Sequence, residues 1–297
     1  MTVTHAVERV GLAEARRFLE NADPTKVRRL RQRKVVTYAK DMLDGNWHLN
    51  GETVGVNELG QTANGRHRFT ALVLAATEGV GSPGGMDYRP AQPDIAIDML
   101  VVRGIKVEAV NTIDTGMNRF YRDVLEIRGV SNATLVAAAT RKFWAWKNGM
   151  YYSGAGNLGG QVASFSELDR FYEKNEDKIE IGTEYGGIHY RDARLAPTTL
   201  SLAHMVLHEI SADEADEFLT MVVTGANLEP TSPVFTLRRR YQRFDDNEGR
   251  ASRNRISQAN RLALLFSAWN HWREGTSHGN LPLPAGGLSN RNFPIPR

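Results

Sequence analysis

Gly65, Arg66, His67 and Arg68 stand together in "QTANGRHRFTAL", residues 61–72, between a segment of β character, "ETVGVNELG", and one of helical character, "TALVLAATEG". Two arginines and a histidine at the mouth of a helix point to an anion. A helix N-terminus carries unpaired backbone N–H groups and a partial positive charge, which together stabilise a phosphate. Arginine adds forked, charge-assisted hydrogen bonds to phosphate oxygens. Without an anion these cations oppose the helix dipole, a local conflict of the kind expected at a functional site. Gly65 lets the backbone approach a phosphate closely, and it equally suits a tight strand-to-helix turn. His67 is able to donate to phosphate or to act as acid or base, since it titrates near neutral pH. An ordinary structural hydrogen bond is its other reading.

Further side chains extend the candidate chemistry. Magnesium prefers one or two carboxylates plus phosphate oxygens, which makes Asp114 the candidate metal ligand. The same Asp114, Thr115 and Gly116 also read as a turn and helix cap. Arg119 is spaced to contact phosphate or to pair with Asp123, four residues on. Glu52, at the start of the strand, is a candidate base. His204 and His208 have the spacing that puts two metal ligands on one helix face. The sequence sets no matching carboxylate beside them, so zinc is not expected there. Phe143, Trp144 and Trp146 share a predicted helix and read as core rather than as a platform for stacked bases.

The basic residues cluster. "KVRRLRQRK", residues 26–34, carries six positive side chains among nine, and residues 237–261 hold a second basic region, "LRRRYQR" and "EGRASRNRISQANR". Clustering matters more than net charge, here only +3, when the partner is a polyanion. Val27, Leu30 and Val35 supply an inner face to the first cluster, so Arg28, Arg29 and Arg31 are candidate DNA contacts. Arg238, Arg239 and Arg240 are candidates in the second. A solvated helical face is the bland alternative for each.

These residues need elements to position them. Periodicity predicts helices over 11–21 and 24–44, the second with Asp23 as N-cap, Pro24 at its first position and Gly45 past its end. "TVGV" and "LGQTA" read as strands around the turn "NELG", residues 66–79 as a helix, 79–93 as a loop and 94–102 as a buried strand. From Gly104 onward the segments read as helical, except "YYSGAGNLGGQ", a mobile loop candidate, and the Pro- and Gly-rich tail "LPLPAGGLSNRNFPIPR". The fold class expected is α+β: a small mixed unit over residues 1–128, then an α-helical domain over 129–297.

Composition bounds the rest. With 297 residues, 41% hydrophobic and 24% charged, the chain reads as globular. No apolar run approaches the roughly 20 residues that span a bilayer, so no membrane partner is expected. The start, "MTVTHAVERVG", has no secretory pattern, and a cytoplasmic location is expected. There are no cysteines, which excludes disulfides, zinc–thiolate sites and thiol catalysis.

The order of features over about the first two fifths of the chain is a family pattern. A basic helix precedes "YAKDMLDGNWHLNGETVGV", then "ANGRHRFTAL", then "IAIDMLVVRGIKVEAVNTIDTGMNRFYRDVL". This resembles the ParB/sulfiredoxin superfamily, and more closely the ParB-like, DGQHR-type proteins of actinobacteria and their phages. Asn64, Gly65, Arg66, His67 and Arg68, followed by Phe69, Thr70 and Ala71, are similar to the ParB form G-E-R-R-x-R-A. "IDTGMNRFYRDVL" stands where ParB proteins have E-N-x-x-R-x-D-L. His67 replaces a ParB arginine, and Arg66 replaces the glutamate.

The resemblance implies a ParB/sulfiredoxin-like mixed sheet with flanking helices and a nucleotide-phosphate cradle. Asn64, Gly65, Arg66, His67, Arg68, Thr115 and Arg119 would bind a nucleoside triphosphate, CTP or ATP, with Mg2+ on Asp114. Sulfiredoxin chemistry needs a cysteine and is excluded. The function implied is that of a ParB-like nucleotide-binding protein acting on or with DNA, in the host cytoplasm if phage-encoded, and a homo-oligomer is compatible with it. One alternative is a magnesium-dependent phosphotransferase, phosphohydrolase or nuclease using Glu52, His67 and Asp114. Another is a phage interaction protein without catalysis.

Overall fold

The computed structural model describes residues 2–22, 30–81, 83, 85, 87–107, 109, 120–152, 163–248, 257–276, 279–284 and 286–297. The chain is α+β, with three strands and eleven helices among the described residues. It divides into two compact units: Met1–Asn118 with Asn157–Glu167, and Arg119–Gly156 with Leu168–Arg297. The sequence reading sets the division at 128. The units instead place the helix at Tyr121–Ile127 in the second unit and return residues 157–167 to the first. No described helix is long and apolar enough to cross a membrane.

In the first unit β1 (Thr4–Val10), β2 (Thr53–Asn57) and β3 (Ile97–Ile105) form a sheet in the order β1-β3-β2. β3 alternates as a half-buried strand should: Ile97, Met99 and Val101 are buried and Asp98 is exposed. β2 runs parallel to it, with Val54 opposite Val101, and β1 antiparallel, with Val7 opposite Leu100. Sequence reading places no strand before residue 11. β1 is a mostly exposed edge strand whose polar alternation carries little signal. Its partner lies some ninety residues away in sequence. Residues 59–63, read as a strand, contribute only isolated bridges through Thr62.

Helices α1 (Leu12–Glu20), α2 (Gln32–Leu43) and α3 (Arg66–Thr77) pack into one core. Ala15 and Phe18 of α1 sit one turn apart and face inward, and Phe18 stacks on Phe69 of α3 with centroids 4.5 Å apart. α2 offers Val35, Ala39 and Met42 at helical spacing. It starts at Gln32, later than the predicted 24, and residues 23–29 lie outside the described chain.

The unit also buries charge. Lys40 is fully inside, its Nζ 3.6 Å from Glu167 Oε1 and 3.9 Å from Asp87 Oδ2. Arg89 reaches both oxygens of Asp44 at 3.1 Å and Glu167 Oε1 at 2.7 Å. Ser164 and Glu167 close a reciprocal cap: Ser164 N donates to Glu167 Oε2 at 2.8 Å, and Glu167 N to Ser164 Oγ at 3.1 Å.

The second unit is helical throughout its described elements: α4 (Tyr121–Ile127), α5 (Ala133–Lys147), α6 (Phe165–Lys174, continuing from the first unit), α7 (Glu176–His189), α8 (Pro197–His208), α9 (Ala212–Thr224), α10 (Pro233–Glu248) and α11 (Gln258–Arg273). α8 is buried from Thr199 to Leu207 and touches α5, α7, α9 and α11, so it is the axis of the unit. α7 approaches it closely through Gly186, where a Cβ would lie 2.2 Å from Ser201 Oγ. The tail is tied to α11: Trp269 Nε1 donates to Arg297 O at 3.2 Å and Arg297 N to Asn270 Oδ1 at 3.0 Å.

Candidate functional site

The approach to Arg66 is built by a folded-back hairpin. After β2, Asn57 Oδ1 accepts from Leu59 N and Gln61 N at 3.0 and 2.8 Å, which closes the turn. The chain then runs back along β2: Ala63 N donates to Gly55 O at 2.8 Å, and Asn64 Oδ1 accepts from Gly55 N. Asn64, a candidate ligand contact, therefore spends its side-chain carbonyl on positioning the loop. Gly65 follows in the left-handed region, φ 92°, and is the N-cap of α3. A Cβ on it would lie 2.6 Å from Val54 Cγ1, so conformation and space both require glycine.

No side chain caps the start of α3, and no acidic residue occupies its first turn. That turn carries Arg66, His67 and Arg68, all half-buried. Arg68, 14% exposed, donates from Nη1 to Glu52 O at 3.0 Å, and its Nη2 lies 3.5 Å from Glu52 Oε2. Glu52, the candidate base, is thus the partner that holds Arg68, with its own carboxylate 69% exposed. His67 Nε2 accepts from Arg31 N at 3.0 Å. An accepting Nε2 fixes the neutral ring with its proton on Nδ1, so this nitrogen is not presented as an acid. Arg31 is the exposed N-cap of α2, and its backbone ties α2 to the motif. Asp114, Thr115, Arg119, Arg28 and Arg29 lie outside the described residues.

Among the described residues of the second basic cluster, Arg238, Arg239 and Arg240 do not form one surface, and residues 249–256 lie outside the described chain. Arg238 Nη1 donates to Val222 O, and to Val223 O at 2.9 Å, closing the C-terminus of α9 under Gly225. Arg240 Nη1 donates to Asn280 Oδ1 at 2.9 Å and to Leu281 O at 2.5 Å. Arg239 is exposed. Successive helix residues point about 100° apart. The acceptors for Arg238 and Arg240 come from another helix and from the tail, which no local sequence pattern announces.

Two cavities lie away from the motif. In the first unit a cavity of about 370 Å³ opens where β2 and β3 end, lined by Arg17, Asn21, Asn57, Glu58 and Arg103. In the second unit one of about 710 Å³ is lined by Arg191, Arg194, Arg238, Arg261, Asp192 and Asp245. Asp245 pairs with Arg194 at 2.5 Å and Arg261 at 2.6 Å. Burial raises its pKa, but the two guanidinium hydrogen bonds outweigh burial and hold it below the usual carboxylate value. Much of this cavity's positive charge is therefore already compensated.

Phe143 and Trp144 are buried, and Trp146 packs against Tyr151, Phe266 and Phe293, so these rings serve the core. The second unit also brings Asp216 to His204 and His208, a carboxylate the HxxxH spacing alone does not reveal. No protein-family model, curated protein or solved structure matches this chain.

Proposed function

We propose that the chain is a nucleotide-binding protein that takes the phosphates of a nucleoside triphosphate at the N-terminus of α3. One observation carries the reading: a helix that starts on a left-handed glycine, without a side-chain cap or an acidic first turn, and opens with Arg66, His67 and Arg68. Backbone N–H groups and the helix dipole favour an anion at this point, and Gly65 lets the chain turn into the helix tight against Val54. Arg68 is held by Glu52 O and is preorganised beside the helix start, while the exposed Glu52 carboxylate makes only a long contact that phosphate competes with. Arg66 supplies the second guanidinium. The same reading takes the first unit as ParB/sulfiredoxin-like.

Binding rather than catalysis fits this geometry, because His67 Nε2, the candidate acid–base nitrogen, already accepts a backbone N–H. A thermal-shift series with CTP, ATP, GTP, UTP and pyrophosphate, each with and without Mg2+, tests the reading. A ligand held at a hundred times its Kd stabilises by about 2.7 kcal/mol, which appears as a rise of several degrees in Tm. Arg66→Gln and Arg68→Gln are expected to abolish the rise. No shift with any triphosphate, or a shift that survives both substitutions, refutes the site. Release of phosphate above the protein-free rate would refute the non-catalytic assignment.

A further inference from the structure

α8 and α9 form a helical hairpin with a three-residue connection, closed by Ser211 N donating to Leu207 O at 3.1 Å and by Ser211 Oγ capping α9. His204 and His208 lie one turn apart on α8, with rings stacked at 3.9 Å and 20°. α9 returns beside them and brings Asp216 Oδ1 to 3.0 Å from His208 Nε2. One nitrogen from each ring and one carboxylate oxygen lie within 4.8 Å of one another.

His204 is 5% exposed, and its Nδ1 is buried with no hydrogen-bond partner. His208 Nε2 is likewise buried and, despite its distance from Asp216, lacks the direction of a hydrogen bond. A buried polar atom left unmade costs about 1–3 kcal/mol. Tyr185 closes the open ring face of His204 at 4.7 Å and also contacts His189, so an aromatic wall screens the nitrogens from water. Two buried ring nitrogens without hydrogen bonds, in a cluster that also holds a carboxylate, are a donor set suited to a cation.

We propose that His204, His208 and Asp216 bind one divalent transition-metal ion of the zinc class. Two imidazole nitrogens and one carboxylate oxygen form a borderline donor set that suits Zn2+ or Co2+ better than Mg2+ or Ca2+. With metal–ligand bonds of about 2.0–2.1 Å, tetrahedral donors sit about 3.4 Å apart. The present spread closes by rotation of the two rings and of Asp216, whose side chain is 67% exposed. Three protein ligands leave a fourth position for water.

The test uses untagged full-length protein, stripped with EDTA and titrated with Zn2+ by calorimetry and with Co2+ by visible absorption. One ion per chain is expected, with a Co2+ d–d spectrum of low coordination number and a raised Tm. Asp216→Asn and His208→Gln should each weaken Zn2+ by more than the roughly 10–100-fold that loss of an outer-shell partner costs. Asp216 is exposed, so its variant is expected to fold even if a His204 variant does not, and circular dichroism checks this. His48→Gln, at an exposed histidine in the other unit, should change nothing. Absence of saturable binding, or binding unchanged in D216N and H208Q, overturns the proposal.

Discussion

Lys40 and His204 are both buried ionisable groups, one in each unit, and their surroundings differ. Lys40 lies between Asp87 and Glu167, Glu167 is shared with Arg89, and Arg89 also pairs with Asp44, so charge inside the first unit is met by opposite charge. His204 has a stacked imidazole on one side and an unsatisfied nitrogen on the other. Burial, helped by His208 and opposed by Asp216, pushes its pKa down to about 4, so the ring stays neutral. A network of opposite charges is a structural device, even where Lys40 Nζ and Asp87 Oδ2 are held by charge rather than by hydrogen bonds. A neutral donor with nothing to bind is a ligand in waiting.

The largest test of this contrast is Lys40→Met. Removing one partner of a buried ion network leaves uncompensated carboxylates and costs about 3–5 kcal/mol. Chemical denaturation at pH 7 should show that loss, and a loss under 1 kcal/mol would mean the network is not coupled to folding.

His204 gives the next largest effect. Its folded-state pKa is depressed from 6.5 to about 4, so the unfolded chain takes up the proton first. Its contribution is therefore intact above about pH 6.5 and is lost as pH falls toward 4, up to about 3 kcal/mol in the metal-free protein. Compared with the parent, His204→Phe should lose less stability between pH 7 and pH 4. Equal losses would assign the pH dependence to other groups.

Lys142 sharpens the comparison, since it is a buried cation with a hydroxyl acceptor, Thr199 Oγ1 at 2.9 Å. Burial pushes its pKa down to about 8. Its desolvation penalty is full below about 8 and fades as pH rises to 10.5. Lys142→Met should therefore stabilise at pH 7 by about 1–2 kcal/mol after loss of the Thr199 hydrogen bond, with the gain vanishing at high pH. Destabilisation at pH 7 would break the idea.

Glu52→Gln is the smallest. Glu52 is mostly exposed, and surface ion pairs contribute at most about 1 kcal/mol, so unfolding should barely move.

The helical half was the most legible part of the chain, because long segments with 3.6-residue periodicity constrain their own conformation. The run "SFSELDRFYEKNEDKIEIG" still conceals a break, with Asn175 ending α6 and capping α7. The glycine turn and the helix start at Arg66 were legible from local chemistry. Long-range partners were not. β1 acquires its meaning only from β3, and Glu52 is seen as the clamp on Arg68 only when β2 lies beside α3. Asp216 sits eight residues past His208, in the next helix, and only the α8–α9 hairpin shows that they meet.

Arg238 and Arg240 carry a consequence for ionic strength. A protein that neutralises Z phosphates of a duplex releases condensed counterions, and log K falls against log salt with a slope of about −0.9Z. Three guanidiniums at 238–240 would add about −2.7 to that slope, whereas Arg239 alone adds about −0.9. The other two already answer to carbonyl oxygens within the fold. A DNA duplex would recruit Arg238 and Arg240 only by breaking these hydrogen bonds, so a slope contribution of about −2.7 from this stretch would report a local rearrangement of their side chains.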